Sequence, residues 1–396
     1  MNTPRNDCRT LFRTSNPQKE SFHRNLKLSD MDRKTLLAAK AELRKAIQIR
    51  FDFLKYTQKR NDLKTASMPR FAQQGSFVYG MLNNPAYPPE QQLDLDYGVY
   101  LPFSDLADGK TPKQTTTAFF TIIEEILEYH IENNRKNQWK LKKKNTCIRI
   151  IINSKMHIDL PLYGCPDNEM SRVVEAANEK MASLKNRTAD QLYADFERID
   201  STFIHLAHRE KGWMVSDPLV IRDWVEMVDR AFGVGNHFKD ICRYLKAWRD
   251  EVPEWRDGGG PSSILCLALS AELYSTDEDG VHAQLAEVIN GLSARLTYPV
   301  TVPAPGCPND EEDLLERVSF EDLYDFKSKF KTLALQYTEA LENEEIYACN
   351  QILVKIFGTR FPHRPDDIKQ KKKADVVRET TAVITAANIP PSTTSG

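Results

Sequence analysis

Three aspartates lie on two segments whose polar and apolar residues alternate as they do in β-strands. Asp94 and Asp96 belong to LDLDYGVYLPF at 93–103, and Asp159 belongs to MHIDLPLY at 156–163. Because side chains at positions i and i+2 of a strand point to one face, Asp94 and Asp96 are expected to project together. A bound divalent cation would remove the repulsion between the two carboxylates, and oxygen-only ligands suit Mg²⁺ or Mn²⁺.

The second strand repeats this arrangement, because His157 and Asp159 share the face opposite its apolar residues. An aspartate in so apolar a strand needs a partner, since an unpaired buried charge is costly. The simplest partner is a metal site shared with Asp94 and Asp96. Such a trio is the ligand set of two-metal phosphoryl transfer, in which one ion lowers the pKa of the attacking hydroxyl and the other steadies the triphosphate and the leaving pyrophosphate. In the alternative interpretation, D-L-D is a solvated turn and Asp159 pairs with a lysine.

Gly75-Ser76 stands ahead of these aspartates, where a strand is predicted to meet a helix. Glycine lets the backbone approach phosphate oxygens, and a helix start offers free N–H groups to an anion. Taken alone, the pair is equally typical of a common turn. Arg149 lies in the apolar strand 147–153 and needs an anionic partner, for which a triphosphate or a salt bridge to Asp159 would serve equally well.

The elements that position these residues follow from hydrophobic spacing. A capping sequence at Ser29 predicts a long helix to about residue 61, which would form a spine across two lobes. A second helix is expected over 112–134, with Pro112 at its first position. From about 170 to 357 the pattern is mainly helical. Candidate helices lie near 168–185, 218–233, 236–250, 262–274, 281–295, 320–344 and 346–356.

Composition excludes several classes of protein. Hydrophobic residues make up 41% of the 396 residues, which allows a sizeable core, and the formal net charge of −2 lacks the basic excess typical of nucleic-acid-coating proteins. No apolar run approaches the ~20 residues that span a bilayer, and the N-terminus has no apolar signal core. We therefore predict a cytoplasmic protein with no membrane association and no nucleic-acid partner.

The cysteines argue against a disulfide framework or a zinc site. They are seven in number, and none forms a C-x-x-C pair. His205 and His208 have no cysteine pair near them in the sequence and are interpreted as helix residues.

Several motifs in a fixed order resemble one family. Q-G-S-F-x-Y, D-x-D, T-C-x-R-I-x-I…H-I-D-x-P, S-D-P and K-A-W-R-D…G-G-P-S-S are similar to those of the bacterial cyclic GMP–AMP synthases, which are cGAS/DncV-like nucleotidyltransferases. The resemblance runs from about residue 29 to 360. It implies an α+β fold, in which a polymerase-β-like nucleotidyltransferase sheet and a helical lobe enclose an active-site cleft.

The composition and hydrophobic pattern along the chain, together with this resemblance, predict an organisation in four parts. They are a polar, irregular N-terminal segment 1–28, a nucleotidyltransferase core with its spine helix 29–166, a mainly helical lobe 167–360 and a flexible tail 361–396. Related systems join the C-terminus of the synthase to an E1/E2-like enzyme, so Gly396 is a candidate conjugation site.

The resemblance also implies the reaction and its residues. ATP and GTP would be joined into a cyclic di- or trinucleotide in anti-phage signalling, with two Mg²⁺ ions that Mn²⁺ can replace. Asp94, Asp96 and Asp159 would be the catalytic metal ligands. The implied nucleotide-binding residues are Gln74, Gly75, Ser76, Tyr79, Arg149, Ser216, Lys246 and Ser263.

Two other functions fit parts of the sequence. The first is a linear oligonucleotide synthase or an RNA terminal nucleotidyltransferase on the same fold, although the near-neutral charge counts against an RNA substrate. The second is a non-catalytic nucleotide-binding interaction protein, which the presence of all three aspartates disfavours.

Overall fold

The protein forms a mixed sheet flanked by helices and a second lobe built mainly of helices. The computed structural model describes residues 6–57, 68–106, 111–134, 136–167, 170, 204–256, 258–276, 280–304 and 311–370. Each lobe has its own large hydrophobic core. The predicted α+β class is confirmed.

The sheet has seven strands among the described residues, in the order β1-β2-β5-β4-β3, with β6 added beside β5 and β7 beside β6. Only the central β2–β5 pair is parallel; the other pairs are antiparallel. The strands are β1 (Arg70–Gln74), β2 (Leu93–Pro102), β3 (Lys140–Lys143), β4 (Cys147–Asn153), β5 (Met156–Cys165), β6 (His205–His208) and β7 (Gly212–Val215).

Two long helices cover the sheet, α3 (Asp30–Thr57) and α5 (Pro112–Asn133). The predicted cap of α3 is present, since the backbone N–H of Asp32 donates to Ser29 Oγ at 3.0 Å. Helically spaced apolar residues of α3 join the core of the sheet, as expected of an amphipathic spine. They are Leu36, Leu43, Ile47 and Phe51.

The second lobe follows the predicted helices closely from residue 218 onward. It also contains a small hairpin of β8 (Thr301–Pro303) and β9 (Glu311–Asp313). Its helices are α6 (Pro218–Ala231), α7 (Phe238–Glu251), α8 (Ser263–Leu273), α9 (Val281–Arg295), α10 (Phe320–Glu342) and α11 (Ile346–Phe357). The candidate helix at 168–185 lies outside the described residues, apart from residue 170. No helix of the described ranges combines the length and apolarity that a membrane crossing requires.

The N-terminal segment, expected to be irregular, packs into the helical lobe. It contains two short helices, α1 (Arg9–Phe12) and α2 (Phe22–Asn25). Phe12 and Phe22 are fully buried there against Tyr244 and Phe361. The aromatic side chains of this segment therefore belong to the core of the second lobe.

The sheet continues past residue 166, where the core was predicted to end. His205 and His208 lie on β6 and not on a helix, so that interpretation was wrong. The boundary at 166/167 stays a prediction, with β6 and β7 beyond it in the same sheet as β5. The tail also begins in ordered structure, because Phe361 and Ile368 are buried in the helical-lobe core.

Candidate active site

The parallel β2–β5 pair aligns the polar residues of the two strands. Asp94 lies opposite His157, and Asp96 lies opposite Asp159. Their apolar neighbours on both strands are buried below the sheet, as the predicted alternation requires. The antiparallel strand β4 then places Arg149 opposite Asp159 from the other side.

Three of these side chains form a group that could hold a cation. Asp94, His157 and Asp159 each offer one ligand atom, and these atoms lie within 4.8 Å of one another. Oδ1 of Asp94 and Nε2 of His157 are both buried and lie 3.0 Å apart, and neither forms a hydrogen bond with any residue that the structure describes. Buried polar atoms are normally paired, so these two atoms fit a site that a cation completes.

Asp96 stands beside this group and not within it. Its carboxylate packs against the backbone of Gly75, so that a Cβ at residue 75 would lie 2.1 Å from Asp96 Oδ2. Burial, followed by the negative charges of Asp94 and Asp159, raises the pKa of Asp96 well above its usual range. Burial and the two facing negative charges both favour the protonated carboxyl, and a cation bound beside Asp96 would remove the repulsion.

Arg149 pairs with Asp159 across strands β4 and β5. The guanidinium donates from Nε to Oδ1 and from Nη2 to Oδ2, each at 2.7 Å. The sequence left open whether Arg149 pairs with a triphosphate or with Asp159. The structure contains the salt bridge to Asp159.

The Gly75-Ser76 turn lies where the sequence placed it, between β1 and the one-turn helix α4 (Gly75–Val78). Gly75 has φ of +71°, a left-handed conformation that glycine adopts without steric cost. Gln74 faces inward, since its Nε2 donates to Tyr163 Oη at 2.9 Å. Tyr79 follows the turn, and burial raises the pKa of its hydroxyl.

Lys246 joins the helical lobe to this turn. Its Nζ donates to Ser76 Oγ at 2.9 Å and to the Met81 carbonyl at 3.0 Å. Burial lowers the pKa of Lys246 to about 8, because the ammonium has lost most of its hydration. This direct contact between Lys246 and the turn carried no signal in the sequence, where the two residues are far apart.

A cavity of about 410 Å³ lies between the two lobes at these residues. Ser216 and Ser263 line it, but neither caps its helix: Asp217 caps α6 and Ser262 caps α8. Arg249 donates to Ser263 Oγ at 3.2 Å. Every predicted site residue except Arg149, Asp159 and Gly396 lines the cavity. They are Gln74, Gly75, Ser76, Tyr79, Asp94, Asp96, Ser216, Lys246 and Ser263.

Three predicted residues stand apart from this lining. Arg149 and Asp159 lie on the sheet immediately beside it and hold each other. Gly396 lies outside the described residues. The group also includes one residue to which the sequence assigned no role, His157, although its place on the face of Asp159 was visible in the alternation of the strand.

Two family models match the chain. One, described as "Cyclic GMP-AMP synthase DncV-like, nucleotidyltransferase domain", matches residues 69–163. The other, described as "Cyclic GMP-AMP synthase, C-terminal domain", matches residues 235–370. The first contains the aspartates and the Gly75-Ser76 turn, and the second contains Lys246 and Ser263.

Curated relatives carry the same description. A cyclic GMP-AMP synthase of Vibrio cholerae is 36% identical over 218 residues, which are 52% of this chain and 48% of that protein. One of Escherichia coli is 35% identical over 222 residues, 53% of this chain and 48% of that protein. The chain thus spans about half the length of the curated relatives it matches.

Solved structures share the fold. A mutant of the Vibrio cholerae di-nucleotide cyclase (DncV) has a TM-score of 0.73 at 22% identity, covering 93% of this chain and all of that one. The Vibrio cholerae cyclic AMP-GMP synthase with a linear pppApG intermediate has a TM-score of 0.72 at 23% identity, with the same coverage. With both domain models matched in order and the fold shared throughout, the chain belongs to the cGAS/DncV-like nucleotidyltransferases.

Proposed function

We propose that the protein is a nucleotidyltransferase that condenses ATP and GTP into a cyclic di- or trinucleotide resembling cyclic GMP–AMP. The observation that carries the proposal is the meeting of Asp94, Asp96 and Asp159 beside a cavity whose far wall carries Lys246. The names of the relatives support the product class. A solved structure of a DncV mutant contains ATP and GTP, which supports the choice of these two nucleotides as substrates.

Divalent cations fit this site by the chemistry of its donors. Asp94, Asp96 and Asp159 would hold two Mg²⁺ ions, or Mn²⁺ in their place, since carboxylate oxygens suit both. When bound, the ions supply activation of the attacking hydroxyl and charge stabilisation at the α-phosphate and the leaving pyrophosphate. The protein's own part is to keep the three carboxyl groups close together, with Arg149 pairing one of them.

The remaining residues bind and orient the nucleotide. Lys246 and the Ser76 hydroxyl face the cavity together and would share the triphosphate charge. Gly75 keeps the backbone free of a side chain at the point where phosphate oxygens approach. Ser216 and Ser263 lie on the helical-lobe wall, where a base or ribose would sit.

The test is product formation by the purified full chain with α-labelled ATP and GTP and Mg²⁺ or Mn²⁺. We expect a product that phosphatase does not degrade, because a closed ring has no terminal phosphate. Asp94→Asn and Asp96→Asn should each abolish it. Asp52→Asn, the same change at an exposed position of α3, is the matched control and should leave the product intact.

Other outcomes select other functions. Phosphatase-sensitive linear products would indicate an oligonucleotide synthase, and extension of added RNA would indicate a terminal nucleotidyltransferase. Tight nucleotide binding without turnover under any divalent cation would indicate a non-catalytic binding protein. Mass spectrometry of the product from mixed nucleotides would identify the joined bases.

The family resemblance also motivates a role in anti-phage signalling in the cytoplasm and conjugation to an E1/E2-like partner through Gly396. Gly396 lies outside the described residues, so this part of the proposal rests on the resemblance alone. Deleting Gly396 should remove covalent conjugates from cells that express the partner while synthase activity is retained. Conjugates of unchanged amount in the deletion variant would refute it.

A further inference from the structure

His157 occupies a place in the site that the ligand set of three aspartates leaves unexplained. It lies on β5 directly beside Asp94 on β2 and two residues before Asp159. Only 5% of the residue is exposed. Its ring is therefore held beside the carboxylates of the site. Its Nε2 faces Asp94 and forms no hydrogen bond with the described residues.

The hydrogen bonds around the ring determine its tautomer. Gln92 Nε2 donates to the Ser154 carbonyl at 3.1 Å, which turns Gln92 Oε1 toward His157. That oxygen accepts from Nδ1 of His157 at 2.8 Å. Since an amide oxygen only accepts, Nδ1 carries a proton, which leaves Nε2 as the ring nitrogen that can bind a cation.

Nε2 of His157 and Oδ1 of Asp94 are 3.0 Å apart. Although they are this close, their alignment is outside the range of a hydrogen bond, and neither atom has another partner among the described residues. Adjacent ligands of an octahedral ion with bonds of about 2.1 Å lie about 3.0 Å apart. The two atoms are therefore close enough to bind one cation together, and Asp159 offers a third ligand atom within 4.8 Å of both.

We infer that Nε2 of His157 is a nitrogen ligand of the cation site and that it biases the site toward Mn²⁺ over Mg²⁺. The inference rests on the proposed function, whose metal site it refines. Mg²⁺ takes oxygen ligands almost exclusively, whereas imidazole binds first-row transition ions. Gln92 is the positioning residue, since metal-bound histidines commonly donate their other N–H to a fixed oxygen.

Direct ligation has a spectroscopic readout that does not depend on activity. Pulsed EPR of Mn²⁺ bound to the full chain should detect coupling to the ¹⁴N of a directly bound imidazole. Supplying ¹⁵N-histidine during expression should replace that coupling with the ¹⁵N pattern. Among the described residues, His157 is the only histidine in a group able to hold a metal.

Variants identify the residue and measure the bias. His157→Gln should abolish the nitrogen coupling and reduce the preference for Mn²⁺ over Mg²⁺ at least tenfold, on the order of the losses known for altered metal sites. His363→Gln, the same change at an exposed histidine of the helical lobe, should alter neither. The isotope experiment on the unaltered chain tests ligation even where His157→Gln does not fold.

The outcomes separate this inference from the proposed function. Bound Mn²⁺ without nitrogen coupling, in a chain that still makes the cyclic product, overturns the role of His157 alone. A chain that binds no divalent cation and makes no product overturns the metal site itself. An unchanged Mn²⁺ to Mg²⁺ preference in folded His157→Gln also overturns the inference.

Discussion

The guanidinium of Arg149 donates one hydrogen bond to each carboxylate oxygen of Asp159, both at 2.7 Å. The pair spans β4 and β5 at the edge of the cation site. A guanidinium in this position supplies the positive charge that Asp159 needs when no cation is bound. A cation that binds Asp159 has to share the carboxylate with Arg149 or displace it.

Arg149→Gln should therefore destabilise the cation-free protein. The change leaves a mostly buried carboxylate without its counter-charge, which costs about 1–3 kcal/mol of unfolding free energy. Mn²⁺ should restore more stability to the variant than it adds to the unaltered chain, because a bound ion stabilises the folded state by mass action. Thermal unfolding with and without Mn²⁺ measures both effects, and Arg70→Gln, at the exposed first residue of β1, is the control. Equal stabilisation of both proteins by Mn²⁺ would contradict this account.

Gly75→Ala should abolish nucleotide transfer through a steric effect on Asp96. The new Cβ would lie 2.1 Å from Asp96 Oδ2, so the carboxylate has to move from its place. Gly80→Ala is a matched control, because Gly80 has φ of +73° against +71° for Gly75 but no atom within 4 Å of its Cβ. Both variants should lose about 1 kcal/mol of stability from backbone strain. Only Gly75→Ala should lose activity. We expect kcat to fall by about 100-fold or more, on the order seen when reacting groups are misplaced. Equal kcat values for the two variants would refute the steric explanation.

Lys246→Met should weaken the binding of the triphosphate. The variant loses the ammonium that lies 2.9 Å from Ser76 Oγ in the cavity. A charged hydrogen bond of this kind is worth about 1.5–3 kcal/mol, which corresponds to a 10- to 150-fold rise in KM. Lys239→Met, on the same helix but paired with Glu226 and Asp229, should leave KM unchanged. KM values that rise alike in both variants would point to a general defect of α7.

The lowered pKa of Lys246, about 8 in the folded protein, also predicts a dependence on pH. In the unfolded chain a lysine keeps its proton up to about pH 10.4. Between these values the unfolded state binds more protons, so the free energy of unfolding rises with pH through this window. Lys246→Met should lack that rise in chemical denaturation at a series of pH values. Triphosphate affinity should fall over the same range, because the neutral amine attracts phosphate less strongly.

Phe22→Ala should destabilise the helical lobe although Phe22 belongs to the N-terminal segment. Its ring stacks on Tyr244 at 4.9 Å and also contacts Phe357 and Phe361. Truncating a fully buried phenylalanine costs about 3–5 kcal/mol. Phe320→Ala, at a position that is 83% exposed, should change the unfolding free energy little. A comparable loss in both variants would rule out the proposed role of the segment in the core.

The alternation within each strand was sufficient to predict the face to which Asp94 and Asp159 point. The pairing of the two strands and its register could not be predicted from that alternation and come from the fold. The helices beyond residue 218 could be predicted from the spacing of their hydrophobic residues. Asp96 was harder to place, since its packing against Gly75 depends on a turn conformation and on electrostatic repulsion. Neither property is visible in residue spacing.

The misassigned segments lack a hydrophobic period long enough to be recognised in the sequence. β6 and β7 have four residues each, too few for alternation to outweigh the helical pattern around them. The N-terminal segment contains Phe12 and Phe22 in otherwise polar sequence, with no period that could reveal their burial. Their environment is supplied by residues more than two hundred positions away, such as Tyr244.

Asp7 and Lys369 are joined as neighbouring β-strand residues are: each backbone N–H donates to the other's carbonyl, at 2.8 and 3.1 Å. Fluorescent labels introduced next to these positions would therefore sit close together whenever the bridge is intact. Energy transfer between them would give a continuous optical report on the helical lobe, separate from any report on the sheet. Such a probe would tell whether the bridge stays closed or opens when a nucleotide binds.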